Sequence, residues 1–282
     1  MAENYSAKLR RVLAAKAREY AKHQGLESYE SLNTCEADKT VLFVKDKHGG
    51  SHGNFLDASF SRILNNKDWC RRLAKPHSQR KSLPARGKEA KEVDSSNSSD
   101  ALLMNIFCYP DVGTSDDLTR LLRLPGWETP CFGVPFAVSR EGEGRPTELD
   151  MVIGKVSFEA KLTERDFTSK SEGIVRQYRD LAKVFEVNAL PRSEGKFTSY
   201  QLIRNVLAAH QRGGRFVLLC DRSRLDLIQR WEEIREKIRD SDLQARCGQI
   251  SWQQIAARVP APLQKFLEDK YGIEPDGSWP IS

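Results

Sequence analysis

The segment ELDMVIGKVSFEAK, residues 148–161, constrains this chain more than any other. Residues 151–153 and 156–158 form two short runs suited to strands, and Gly154 and Lys155 make a two-residue turn between them. That pattern predicts a β-hairpin. Asp150 stands at the start of the first strand, and Glu159 and Lys161 stand at the end of the second. Side chains two apart on a strand share a face, so Glu159 and Lys161 point together while Ala160 turns to the core. Folding the hairpin back brings Asp150 level with Glu159, on strands about 5 Å apart. A charge on a core strand costs several kcal/mol unless it is paired or bound to a metal. Two carboxylates and a lysine at one strand end therefore predict a use. The carboxylates can share one hard divalent cation, and the lysine can polarise a water or a phosphate. The plainer alternative is an ion pair between Glu159 and Lys161 on an edge strand, with Asp150 a turn residue.

Asp150 followed by Glu159-Ala160-Lys161 resembles the core motif of the PD-(D/E)xK nuclease superfamily, with Leu149 where that motif usually has proline. The resemblance implies that Asp150 and Glu159 bind Mg²⁺, with Mn²⁺ able to substitute, and that the Ala160 carbonyl joins them. It implies that Lys161 assists the nucleophile. It further implies an α/β fold with a restriction-endonuclease-like αβββαβ core, a mixed sheet flanked by helices. Members of the superfamily often carry another acid on the helix before the hairpin, for which Asp100 is the candidate; as an N-terminal acid it also simply suits the helix dipole. Some use a Gln or Lys on the following helix near the phosphate, for which Gln177 is the candidate, a surface polar residue otherwise. Glu148 lies two residues before Asp150 on the same face and is a further candidate ligand. The segments HGNFLDASFSRIL, SSNSSDALLMNIF and YQLIRNVLAAH also resemble a group of stand-alone bacterial restriction-endonuclease-like proteins.

Charge points the same way. The net charge is +6, with a pI near 9.0. Between residues 67 and 91 there are nine Lys or Arg and two acids, a stretch suited to a phosphate backbone unless it is only a solvated loop. Arg71, Arg72, Lys75, Arg80 and Lys81 are the candidate nucleic-acid contacts. With 30% charged residues and a mean hydropathy of −0.57, no apolar run approaches the length of a membrane span. The N-terminal residues show no secretory h-region, so the cytoplasm is the expected compartment. Six scattered cysteines without a CxxC pair predict free thiols rather than a zinc site.

Along the chain the pattern predicts helices over residues 4–24, 55–73, 101–107, 115–124, 172–187, 200–210 and 224–240, then a helical tail from residue 251. Strands are expected at 40–44 and 215–220, with an irregular or edge strand at 129–138. Ser98 or Ser99 is the expected N-cap of the helix carrying Asp100. Arg204 and Asn205 are expected to face the groove. His48 and His52 are four apart, but on a glycine-rich loop that spacing carries little metal-binding meaning. The expected organisation is a basic, mostly helical extension (1–91), a nuclease-like core (92–240) and a helical cap (241–282). The expected function is metal-dependent hydrolysis of phosphodiester bonds in DNA. A non-catalytic nucleic-acid-binding protein on the same fold is the alternative, and a homodimer is left open.

Overall fold

The run RFVLLC at residues 215–220 explains the architecture. Its side chains alternate between two apolar clusters: Phe216, Leu218 and Cys220 enter one, and Val217 and Leu219 enter the other. A strand apolar on both faces must be covered on both sides. The computed structural model describes residues 5–32, 39–46, 50–77, 83–84, 89–140 and 146–280. The first part of the chain forms α1 (Tyr5–Gln24), β1 (Ser28–Glu30), β2 (Val41–Phe43), α2 (Asp57–Leu64), α3 (Lys67–Leu73), α4 (Ser99–Phe107) and α5 (Asp116–Leu121). Then come β3 (Cys131–Phe136), β4 (Thr147–Ile153), β5 (Val156–Ala160), β6 (Lys170–Ser171), α6 (Glu172–Val175), α7 (Leu181–Val184), β7 (Arg192–Ser193) and β8 (Lys196–Phe197). The chain closes with α8 (Tyr200–Gln211), β9 (Arg215–Cys220), α9 (Leu225–Arg235), α10 (Ser241–Arg246), β10 (Gly248–Ser251), α11 (Trp252–Ala256) and α12 (Ala261–Tyr271).

The central sheet is five-stranded, in the order β10-β9-β5-β4-β3. The expected hairpin is β4–β5, antiparallel, paired from Ile153–Val156 to Met151–Phe158, with Gly154 at φ +55° in its turn. β3 pairs antiparallel on the outer edge of β4, and β9 and β10 run parallel to β5. The sheet is therefore mixed, and α4, β3, β4, β5, α8 and β9 follow one another as the sequence predicts. Helices α1, α4, α5, α11 and α12 cover one face. Helices α6 to α10 cover the other.

Three departures from the sequence reading have identifiable causes, and His52 takes a structural role. The expected helix over 55–73 is two helices, because Asn66 caps a new one: its side chain accepts from the N–H groups of Asp68 and Trp69. The expected helix over 172–187 shrinks to single turns, α6 and α7. The N–H of Arg179 goes instead to the Ser139 carbonyl, and Tyr178 bridges to Arg140. The nearby residues of β6, β7 and β8 build a small three-stranded sheet of their own. Strand β10 is four residues long and is hidden by the start signal of α11, in which Ser251 and Gln254 exchange side-chain-to-backbone bonds in a capping box. His52 is structural: its Nε2 lies 3.0 Å from Asp94, and its Nδ1 accepts from the Asn54 N–H, while His48 lies outside the described residues.

Helices from both ends of the chain meet at α12. Tyr20 of α1 packs edge-on against Phe266, and between them Lys270 is fully buried. The Lys270 Nζ donates to the Asn54 carbonyl at 2.7 Å and lies within 6 Å of the rings of Tyr20, Phe43, Phe266 and Tyr271. Among the described residues no carboxylate pairs with it, and burial pushes its pKa well below the ordinary lysine value. Between that lowered value and about 10.4 the unfolded chain holds a proton that the folded chain lacks, so stability rises with pH across this window. Denaturant unfolding of the wild type and Lys270→Met from pH 7 to 10 should show the wild type gaining up to about 1.4 kcal/mol per pH unit relative to the variant. Parallel curves would mean that Lys270 stays charged when folded.

Candidate active site

β4 and β5 stop pairing at Met151–Phe158, and the next residues along, Asp150 and Glu159, stand at the opening. The Lys161 N–H bonds to the Leu219 carbonyl of the strand on one side of β5. Ala160 therefore presents its own backbone edge to the other side, where β4 would have continued. Asp150 takes that place: its Oδ2 accepts from the Ala160 N–H at 2.9 Å. The end of the hairpin is thus closed by a carboxylate rather than by a ladder, and this opens a cleft of about 290 Å³ at the end of the sheet.

Glu159 is almost wholly buried, at 2% exposure. Three groups satisfy it. Lys161 lies 2.9 Å away on its own strand, Asn205 of α8 donates to Oε2 at 2.6 Å, and Gln201 of α8 donates to Oε1 at 3.2 Å. Gln201 also accepts from the Lys161 ammonium at 3.2 Å, so the two strand residues and the first turns of α8 form one closed network. The opposite wall comes from α4. Ser98 caps that helix through the Ala101 N–H, and Asp100 sits in its first turn, 2.7 Å from Arg72 and 3.2 Å from Lys75. Both cations also reach Glu148, at 2.9 and 3.2 Å. Ser99 donates to Glu164 at 2.9 Å.

The charge balance of the cleft is acidic: six acids line it against Lys75, Lys161 and Arg204. Burial, then the charges of Glu159 and Asp100, hold the Asp150 carboxyl well above the usual range, although Lys161 and the Ala160 N–H pull it down. Burial draws Lys161 down, but Glu159, Glu164 and Asp150 outweigh it and raise its pKa, so this ammonium keeps its proton at neutral pH. Burial raises the Glu148 carboxyl and Arg72 and Lys75 pull it down further, leaving it below the ordinary value. Among the described residues no three His, Cys, Asp or Glu side chains gather as a metal site, and Asp100 is paired to Arg72 and Lys75. What remains is a pair of carboxylates and a backbone edge, an all-oxygen set that fits a hard divalent cation completed by water and substrate.

Of the residues singled out in the sequence, Asp100, Glu148, Asp150, Glu159, Ala160 and Lys161 line this one cleft, with Lys75 and Arg204 beside them. Gln177 does not; it lies in the turn after α6, where its N–H bonds to the Ile174 carbonyl. The residues expected to contact phosphate are placed as follows. Arg72 is 7% exposed and paired to Asp100 and Glu148, Lys75 is paired to the same acids, and Arg71 is exposed and bonded to Asp68. Arg80 and Lys81 lie outside the described residues. Sequence reasoning missed Gln201, Ser99 and Glu164. The signal for Gln201 was its i, i+4 spacing to Asn205 on an otherwise apolar helix face.

Carboxylates clustered against their own electrostatics cost stability. Without a cation, Asp150 in the folded chain holds a proton that the unfolded chain has already released above its ordinary pKa. The wild type therefore loses stability as pH rises through the raised folded value. Asp150→Asn has no such loss, so in EDTA its melting temperature should exceed that of the wild type at pH 8, by a wider margin than at pH 5. A variant less stable at both pH values would contradict the electrostatic account.

No curated protein and no solved structure matches the chain. One family profile does, that of the restriction endonucleases associating with ARP. The match runs over residues 14–272, and the chain belongs to this family.

Proposed function

We propose that the protein is a metal-dependent nuclease of the PD-(D/E)xK type that hydrolyses phosphodiester bonds in DNA. The observation that carries this reading is the acidic cleft itself. A phosphate approaching Asp150 and Glu159 is repelled unless a cation stands between them, and the two carboxylates with the Ala160 carbonyl are the oxygen donors for it. Mg²⁺ or Mn²⁺ held there supplies charge neutralisation at the scissile phosphate and a water acidified for attack. The family's description as restriction endonucleases supports the reaction class and DNA as substrate.

The chain's own side chains have separable tasks. Lys161, protonated, orients the water and offsets negative charge developing on the phosphate; it does not serve as a base. Gln201 holds Lys161 in place, and Asn205 holds Glu159. Arg72 and Lys75 keep Asp100 and Glu148 paired, which leaves Asp150 and Glu159 at the strand opening as the carboxylate donors. A second reading has one observation in its favour. Both oxygens of Glu159 are already hydrogen-bonded, as they would be in a structural ion pair on a non-catalytic nucleic-acid-binding protein.

Supercoiled plasmid incubated with the purified protein separates the two. The nuclease reading predicts nicking or linearisation with Mg²⁺ or Mn²⁺, none with EDTA, and loss of at least a hundredfold in rate in both Asp150→Ala and Lys161→Ala, an order-of-magnitude figure for removing one preorganised electrostatic group. Cleavage that persists in Asp150→Ala would overturn the assignment.

A further inference from the structure

A second, larger hollow of about 740 Å³ adjoins the acidic cleft. Arg204 lines both. The walls of the hollow are the segment between β3 and β4, the region of α6, and the first turn of α8. Its charge is the reverse of its neighbour's. Arg140, Lys170, Arg179 and Arg204 line it, and among the described residues no acid does. Lys170, Arg179 and Arg204 make no ion pair with a described residue, in contrast to the spent cations of the acidic cleft.

Arg204 is the hinge between the two. Its guanidinium lies over the Tyr200 ring at 5.5 Å, and its buried Nε has no hydrogen-bond partner. Tyr200 is in turn held by a 2.6 Å hydroxyl contact to Tyr178, whose ring stacks on it. Aromatic support fixes the direction of this arginine while leaving donors for a ligand. A buried guanidinium nitrogen without a partner is costly, and a bound anion removes that cost.

We infer that this hollow is the track for the nucleic-acid strand on one side of the reacting phosphate. The inference rests on the nuclease reading for the cleft and deepens it. A polyanion that enters an acidic site needs its flanking phosphates held by cations nearby. Here a hollow lined by cations, and among the described residues by no acid, begins at the residue where the acidic cleft ends. Arg204 takes the phosphate at the boundary, and Lys170 and Arg179 take the ones beyond. These contacts are to the backbone, so they grip any sequence and add salt dependence without adding base preference.

The test is anisotropy of a labelled DNA oligonucleotide in EDTA, titrated with wild type, Lys170→Glu, Arg179→Glu and, as a charge-matched control on α12, Lys265→Glu. The altered side chains are exposed, and circular dichroism checks that each variant folds. Lys170→Glu and Arg179→Glu should each weaken binding on the order of tenfold, the scale of a lost hydrogen bond to a charged group. Each should also flatten the plot of log affinity against log salt by about one unit. The control should do neither. Groove variants that bind like the control would overturn the track, as would a wild type that binds no oligonucleotide at low salt. So would a free mononucleotide that displaces the oligonucleotide at equal concentration, since the hollow would then be a small-ligand pocket. Because binding is read without metal, it stands apart from cleavage. Groove-dependent binding by a protein that does not cut plasmid supports the track and sinks the nuclease reading alone.

Discussion

Everything at the end of this sheet depends on how the buried Glu159 carboxyl group is met in the interior. A carboxylate with 2% exposure is tolerable only if its oxygens are met, and here Lys161, Asn205 and Gln201 meet them. That requirement places α8 over the end of β5, because Gln201 and Asn205 come from its first turns. It also explains a fully buried asparagine in a helix that is otherwise apolar on this side. Removing one partner of such a network leaves a buried group unsatisfied, which is why its members act as a unit.

The segment just beyond Lys161 is held with equal care. The Trp252 indole donates to the Lys161 carbonyl at 2.9 Å, Arg224 donates to the Glu164 carbonyl at 2.8 Å, and the Ser6 hydroxyl donates to the Thr163 carbonyl at 2.6 Å. The donors come from α11, from the turn before α9 and from α1, so distant parts of the chain converge on residues 161–164. The long helices at both ends thereby take part in positioning the candidate site as well as covering the sheet. A lysine held this way spends little entropy on orientation when substrate arrives.

Much of this was legible in the sequence. The hairpin declared itself through two short apolar runs and Gly154, and the Asp150, Glu159, Lys161 spacing followed from its period of two. Strand β9 was legible because RFVLLC is apolar on both faces, and α4 because Ser98 caps it. What escaped depended on contacts far apart in sequence. Arg72 and Lys75 looked like phosphate contacts within a basic run, yet they fold onto Asp100 and Glu148, and no local pattern reveals such a pairing. Residues 172–187 have a helix-forming composition, but their backbone bonds are claimed by the β3–β4 connection. Gln201 gains its place only because the crossover from β5 to β9 lays the first turn of α8 over the strand end. In each case tertiary placement overrode local propensity.

The central claim is that Asp150 and Glu159 form a site for one divalent cation. Calorimetric titration of Mn²⁺ into the wild type and Asp150→Asn, at pH 6 and pH 8 in buffers of different ionisation enthalpy, tests it directly. The account predicts one site in the wild type, tighter at pH 8, with net proton release because the cation displaces a proton from Asp150, and loss of that site in the variant. Equal Mn²⁺ binding by both proteins, independent of pH, would contradict it.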